Sequence, residues 1–220
     1  MDFQTLKNKF LRKLHSFHIG RLGAIVCSAQ LLLELYSFAI QLFMLGGISN
    51  ISSIIFLAIN CIFDLYLVKY FITSKENNSL QPARIAIIFL IISNYVLPAI
   101  QIGIESLFSN ALGQALFGII LSGLVFGIAY FVLLILENKR KGKHNLLFMT
   151  IIGAIMVLLA LGQGGLSIAN GILLLIEPTD ILYDALMFIY CLLNGFVIIG
   201  MSVIFLLYPV FEIRERRRGY

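Results

Sequence analysis

Six long runs of apolar residues dominate the sequence, and each is long enough to cross a lipid bilayer as an α-helix. The hydrocarbon core of a bilayer is about 30 Å thick, which requires roughly 20 apolar residues in a helix. The runs are Leu22–Leu45, Ile51–Ile72, Ile85–Leu107, Gly113–Leu136, Leu146–Ile176 and Ile181–Tyr208. They are unbroken, whereas the strands of a membrane barrel alternate apolar and polar residues. We therefore predict an all-α, polytopic membrane protein with six transmembrane helices.

The composition supports this fold class. Hydrophobic residues make up 60% of the 220 residues and charged residues only 12%, whereas a soluble domain has about 25% charged residues. This excludes an ordinary water-soluble enzyme and a nucleic-acid-binding domain. The first apolar run is about twice as long as the apolar core of a signal peptide, so we expect it to remain in the mature protein.

All 16 Lys and Arg residues fall on one side of the predicted bundle. They lie before the first run, between the second and third, between the fourth and fifth, and after the sixth. Cells retain such residues in the cytoplasm during membrane insertion. The pattern predicts three helical hairpins with both termini cytoplasmic, and the short loops and low charge favour a plasma membrane.

The two ends of the chain differ from the bundle at residues 21–210. Five large apolar residues near the N-terminus recur at helical steps: Phe3, Leu6, Phe10, Leu14 and Phe17. This pattern predicts an amphipathic helix within residues 1–20 that lies in the cytoplasmic lipid interface; the alternative is a helix that docks a cytoplasmic partner. Residues 211–220 are rich in Arg and predict a basic cytoplasmic tail in contact with lipid.

Polar residues follow one face of the first span. They are spaced by 3, 4, 3 and 4 residues: Cys27, Gln30, Glu34, Ser37 and Gln41. An ionised carboxylate near the middle of a span costs about 2.5–3.5 kcal/mol on insertion scales. We therefore expect this face to line a cavity or the bundle interior, and not to face lipid.

The second span carries polar residues that match this face. In an antiparallel hairpin with its turn near Ile48, Asn60 and Asp64 lie within roughly 3 Å of Glu34 in depth, and no Lys or Arg lies there. Two carboxylates in a low-dielectric medium cannot both ionise cheaply. The pair is therefore expected to hold a proton or share a cation. The alternative is a protonated carboxyl that links the two helices by a hydrogen bond.

The third and sixth spans add further candidates. Asn94, Pro98, Gln101 and Glu105 are spaced by 4, 3 and 4 residues on the third span. A kink is expected at Pro98. Asn194 lies near the middle of the sixth span, and we expect it to face the same interior.

The fourth and fifth spans are rich in glycine. In the fifth, Gln163 stands among Gly162, Gly164 and Gly165, and each glycine weakens a helix by about 1 kcal/mol relative to alanine. This favours a break in the helix, as in many transporters; the alternative is one long tilted helix with glycines for close packing. In the fourth span, Gly123 and Gly127 form a GxxxG motif, which favours packing within the bundle over dimerisation.

No motif for enzyme chemistry accompanies these spans. There is no phosphate-binding GxxxxGK[ST] loop, no HExxH and no GxSxG. The cysteines Cys27, Cys61 and Cys191 suit neither a zinc site nor a disulfide framework. We therefore expect no enzyme activity, metal centre, cofactor or nucleic-acid partner.

The favoured function is a small transporter or permease subunit that moves a small solute or ion through a proton or cation site near mid-membrane. The predicted site residues are Gln30, Glu34, Asn60, Asp64, Asn94, Gln101, Gln163 and Asn194. The alternative is a non-transporting interaction protein: an assembly factor, an immunity protein or an accessory subunit that docks a cytoplasmic or membrane partner. In that case the interior polar groups specify helix pairing.

Overall fold

The fold consists of α-helices throughout the part of the chain that the structure, a computed structural model, describes: residues 18–44, 51–77, 79–100, 111–139, 143–176 and 180–218. The helices are α1 (Ile19–Met44), α2 (Ile51–Glu76), α3 (Leu80–Ile91), α4 (Ala111–Lys139), α5 (Lys143–Ile176) and α6 (Ile181–Arg218). A π-helical turn, Ile92–Val96, follows α3, and the helix then continues to residue 100.

Six helices in the described ranges are long and apolar enough to cross a membrane, which confirms the predicted all-helical fold and the predicted number of candidate spans. The candidate spans are Ile19–Ile40, Ile54–Glu76, Leu80–Ile100, Phe117–Leu136, Asn145–Ile176 and Ile181–Arg214. Large apolar side chains cover the outer surface; Leu32, Leu158 and Phe196 are each more than 60% exposed. Lipid can solvate such a surface, whereas water would not.

The fifth span is a single helix, so the predicted break is wrong. α5 runs unbroken through its glycines, because they bring it against α6. A Cβ at Gly164 would lie 2.9 Å from the carbonyl oxygen of Gly195, and a Cβ at Gly195 would lie 2.9 Å from the carbonyl oxygen of Gly164. Backbone contact of this kind stabilises helix pairs in membranes and offsets the low helix propensity of glycine.

The GxxxG motif of α4 also packs inside the bundle, as predicted. A Cβ at Gly123 would clash with the ring of Tyr95, and one at Gly127 would lie 3.1 Å from Cγ2 of Ile91. Both glycines therefore accommodate the third span.

The irregularity expected at Pro98 takes the form of the π-helical turn. Proline has no N–H, and its ring crowds the carbonyl four residues earlier, which here belongs to Asn94. Directly before the proline, the N–H of Leu97 donates to the carbonyl oxygen of Ile92, five residues back instead of four. The wider turn relieves the crowding.

A second proline lies within α6, and a neighbouring helix compensates for it. Pro209 cannot donate to the carbonyl oxygen of Phe205. The Tyr130 hydroxyl, fully buried on α4, donates to that oxygen at 2.8 Å. The helix therefore continues through Pro209 as far as Arg218, into the predicted basic tail.

A polar cluster joins the start of α3 to the last turns of α6. Arg84 Nε donates to the Tyr208 hydroxyl oxygen at 2.9 Å, and Arg84 Nη2 lies 3.2 Å from Glu212 Oε1. The Tyr208 hydroxyl donates to Glu212 Oε2 at 3.2 Å. The start of α1 likewise packs on the last turns of α2, because a Cβ at Gly20 would meet the backbone of Phe71.

Part of the predicted organisation falls on residues that the structure does not describe. Residues 1–17 of the predicted amphipathic segment, which spans residues 1–20, lie outside the described residues. Gln101 and Glu105 also lie outside them, as does the side chain of Gln41.

Candidate functional site

Residues from all six candidate spans line a cavity of about 390 Å³. Its lining residues are Gln30, Glu34, Asn60, Ser93, Asn94, Tyr95, Pro98, Ile120, Gln163, Leu166, Ser167, Asn170, Met187, Tyr190, Cys191, Asn194, Ile198 and Ser202. This volume lies at the lower end of the 300–1,000 Å³ that is usual for ligand pockets, so the cavity fits a small molecule.

Most of the predicted site residues line this cavity. They are Gln30, Glu34, Asn60, Asn94, Gln163 and Asn194. Asp64 is not among the lining residues; it is only 2% exposed and lies among packed side chains. Gln101 is outside the described residues. That these residues bind a solute or an ion stays a prediction.

The wall of the cavity carries one carboxylate, Glu34, and six carboxamides. Ser and Tyr hydroxyls add further hydrogen-bonding groups, and Ile120, Leu166 and Met187 supply apolar area. Among the described residues no Lys, Arg or His lines the cavity. The wall is therefore suited to a neutral or cationic molecule, because an anion would meet the carboxylate with no base to offset it.

The π-helical turn directs several polar groups at the cavity. Ser93, Asn94 and Tyr95 are consecutive, yet all three line it. In a regular α-helix successive side chains point roughly 100° apart. Irregular helix turns of this kind are frequent at functional sites, and here the turn adds a hydroxyl, a carboxamide and a phenol to one wall.

Glu34 and Asp64 lie on α1 and α2, which pack against each other. Gln30 Nε2 donates to Glu34 Oε1 at 3.1 Å, and the Cys61 thiol lies 3.9 Å from Glu34 Oε2. Asp64 is close enough for direct electrostatic interaction with Glu34. Neither acid is exposed on the outer surface: Asp64 is buried, and Glu34 is half-buried at the cavity.

Three buried oxygen atoms in this region have no hydrogen-bond partner within the part of the chain that the structure describes. They are Gln30 Oε1, Asn60 Oδ1 and Asp64 Oδ2. Nearly all buried polar atoms in proteins are paired, so unpaired ones require an explanation. All three are acceptors when Asp64 is ionised, so what each lacks is a donor or a cation.

Sequence reasoning missed several residues of the wall, above all on α5 and α6. Ser167 lines the cavity, and its hydroxyl donates to the carbonyl oxygen of Cys191 at 3.1 Å. Tyr190 also lines the cavity and lies within electrostatic range of Glu34. A signal was present, since Ser167 follows Gln163 by four residues and Tyr190 precedes Asn194 by four. Ser and Tyr are too common in membrane helices for that spacing alone to single them out.

Comparisons of the chain with protein families, with curated proteins and with solved structures found no match.

Proposed function

We propose that the chain is a small multi-pass transporter or permease subunit of the plasma membrane, which moves a small neutral or cationic solute. The observation that carries this proposal is the polar cavity with Glu34 in its wall. Polar side chains inside a membrane are costly and mark solute or ion pathways. Holding helices together requires no cavity of this size.

The proposed topology is three helical hairpins with both termini in the cytoplasm. The contacts of Gly20 with Phe71 and of Arg84 with Glu212 support it, since they place the starts of α1 and α3 beside the ends of α2 and α6. Twelve of the 16 Lys and Arg residues lie before or in the first turns of α1 and α3, or in the last turns of α2 and α6, and the other four lie at the connection between α4 and α5. This favours the cytoplasmic side for this end.

In the proposed mechanism, Glu34 links the solute to a proton or cation. The carboxamides of the wall hold the solute by hydrogen bonds, while Glu34 attracts its positive charge or exchanges a proton with it. Asp64, behind the wall, interacts with the Glu34 carboxylate. A positive charge held by either acid therefore changes the field that the solute meets.

A binding screen followed by uptake into proteoliposomes tests the proposal. Purified protein in detergent is heated with a panel of small neutral, cationic and anionic compounds, and the compound that stabilises it most is radiolabelled. We expect this compound to be neutral or cationic. Its uptake rate should fall at least about tenfold in Glu34→Gln, because that change removes the only carboxylate of the described wall.

Glu76→Gln is the matched control, because Glu76 is an exposed acid at the end of α2 and the chemical change is the same. Its uptake should equal that of the wild type. Stabilisation by anions alone contradicts the proposal, and so does equal uptake by Glu34→Gln and the wild type. A folded wild-type protein that takes up no compound of the panel but retains a bound partner chain on purification would instead support the interaction-protein alternative.

A further inference from the structure

We propose that Gln30, Glu34, Asn60 and Asp64 form a binding site for one small monovalent cation with the size and ligand preference of Na⁺, between α1 and α2. The ion's role in transport rests on the proposed function, but its binding can be measured independently.

Helical spacing brings the four side chains together. Gln30 and Glu34 are four residues apart on α1, and Asn60 and Asp64 are four residues apart on α2. Residues at this spacing are neighbours on one helix face. The two helices pack against each other. Glu34 accepts a hydrogen bond from Gln30 and lies within electrostatic range of Asp64. Asn60 borders the same cavity as Gln30 and Glu34.

The unpaired oxygens point to a cation as the missing partner. Asp64 is only 2% exposed, and its Oδ2 has no hydrogen-bond partner among the described residues. The buried amide oxygens of Gln30 and Asn60 also lack a hydrogen-bond partner in the described part of the chain. A proton on Asp64 would satisfy that oxygen and at most one of the amides. In the proposed site, a cation bound at Asp64 Oδ2 would also coordinate the two amide oxygens.

The ligand set favours a monovalent ion. Carboxylate and carboxamide oxygens suit hard cations such as Na⁺, Ca²⁺ and Mg²⁺. Ca²⁺ takes six to eight oxygens, more than four side chains supply. Mg²⁺ dehydrates reluctantly and usually keeps several waters, whereas Asp64 is buried among packed side chains. Within the described ranges, the thiols of Cys27 and Cys61 also interact with Asp64. Neither brings a positive charge that would replace the ion.

The position of the site ties it to the cavity. Asp64 lies behind the wall, whereas Gln30, Glu34 and Asn60 are part of the wall. An ion held by Asp64 would offset its repulsion of Glu34 and fix the orientation of the two carboxamides. Ion binding and solute binding are thus coupled through shared side chains.

Thermal unfolding of the purified protein in detergent at pH 8 tests the site. NaCl is increased while choline chloride is lowered, so that ionic strength stays constant. We expect a saturable rise in the unfolding midpoint with Na⁺ and none with choline. Asp64→Asn should raise the apparent Kd for Na⁺ at least tenfold. Asn60→Ala should raise it severalfold, and Glu76→Gln, on the same helix but exposed, should leave it unchanged.

Several results would overturn the site: no difference between Na⁺ and choline, wild-type affinity in Asp64→Asn, or stronger saturable stabilisation by CaCl₂ than by NaCl. Stability that depends on pH but not on Na⁺, with the pH dependence lost in Asp64→Asn, would make Asp64 a proton carrier. If Asp64→Asn does not fold, Asn60→Ala decides. Saturable Na⁺ binding together with a failed uptake assay would refute the transport proposal but leave the ion site intact.

Discussion

Tyr130 and Pro209 show how one side chain can take over a backbone hydrogen bond. The proline removes the N–H that would normally reach the carbonyl oxygen of Phe205, and the tyrosine hydroxyl reaches it instead at 2.8 Å. A buried carbonyl without a partner is costly. The tyrosine and the proline should therefore depend on each other energetically.

Tyr130→Phe should lower the free energy of unfolding by about 1–3 kcal/mol, the cost of leaving a buried acceptor unpaired. Unfolding of the detergent-solubilised protein by increasing SDS measures this. Pro209→Ala restores the backbone N–H, so Tyr130→Phe should cost less in that background than in the wild type. Equal costs in the two backgrounds would show that the hydrogen bond does not depend on the proline.

At the residue scale, the sequence identified Glu34 and five of the six carboxamides of the described wall, but not its hydroxyl groups. Glu34 and Asp64 could be paired from their depth, because a carboxylate in a membrane has few acceptable environments. Their different positions, one in the cavity wall and one behind it, depend on side-chain packing. Ser202 was missed because a serine can also hydrogen-bond within its own helix, as Ser122 does to the carbonyl oxygen of Gly118 at 2.9 Å.

Among the elements, α5 and α6 are in backbone contact at Gly164 and Gly195. Gly164→Ala should lower the free energy of unfolding by about 1–3 kcal/mol, the usual cost of overpacking, because the new Cβ would press on the backbone of Gly195. Gly165→Ala is the matched control, since a Cβ there meets no atom within 4 Å. It should be neutral or stabilise the helix by up to about 1 kcal/mol.

Thermal unfolding midpoints of the two alanine variants measure this difference. Equal midpoints would mean that the two helices can move apart at no cost, which would contradict a close contact between Gly164 and Gly195. A higher midpoint for Gly164→Ala than for Gly165→Ala would contradict it more strongly.

The continuity of α5 could not be predicted from its own residues. Three glycines around Gln163 fit both a broken helix and a closely packed one, and the choice depends on Gly195, which lies on another helix. Pro98 was different, because proline disturbs any helix by its own covalent structure. Its position predicted an irregularity there, but not a π-helical turn.

For the whole molecule, the proposed topology makes a prediction that fusion proteins can check. Alkaline phosphatase is active only outside the cytoplasm and green fluorescent protein fluoresces only inside it. Phosphatase fusions within residues 45–50 and 177–179 should be active. Fluorescent-protein fusions within residues 140–142 and after Arg218 should fluoresce, because Lys and Arg flank only these last two sites. The reverse pattern, or a mixture, would contradict the proposed orientation.

Hydropathy was sufficient to predict the number of spans, because the thickness of the bilayer sets the length of a span independently of its neighbours. It could not predict which helices meet around the cavity. That depends on how the helices pack, and hence on small residues such as Gly123 and Gly195, which bring particular pairs close.

The sign of charge in the cavity wall has a consequence for energy supply. Glu34 is its one described charged group, so under the proposed function the preferred cargo is positive or travels with a positive ion. Moving one elementary charge across a membrane changes its free energy by about 2.3 kcal/mol per 100 mV of membrane voltage. With an inside-negative voltage, import through such a wall runs downhill electrically. The resting voltage of the cell would then drive accumulation of the cargo, and uptake should register as an inward current.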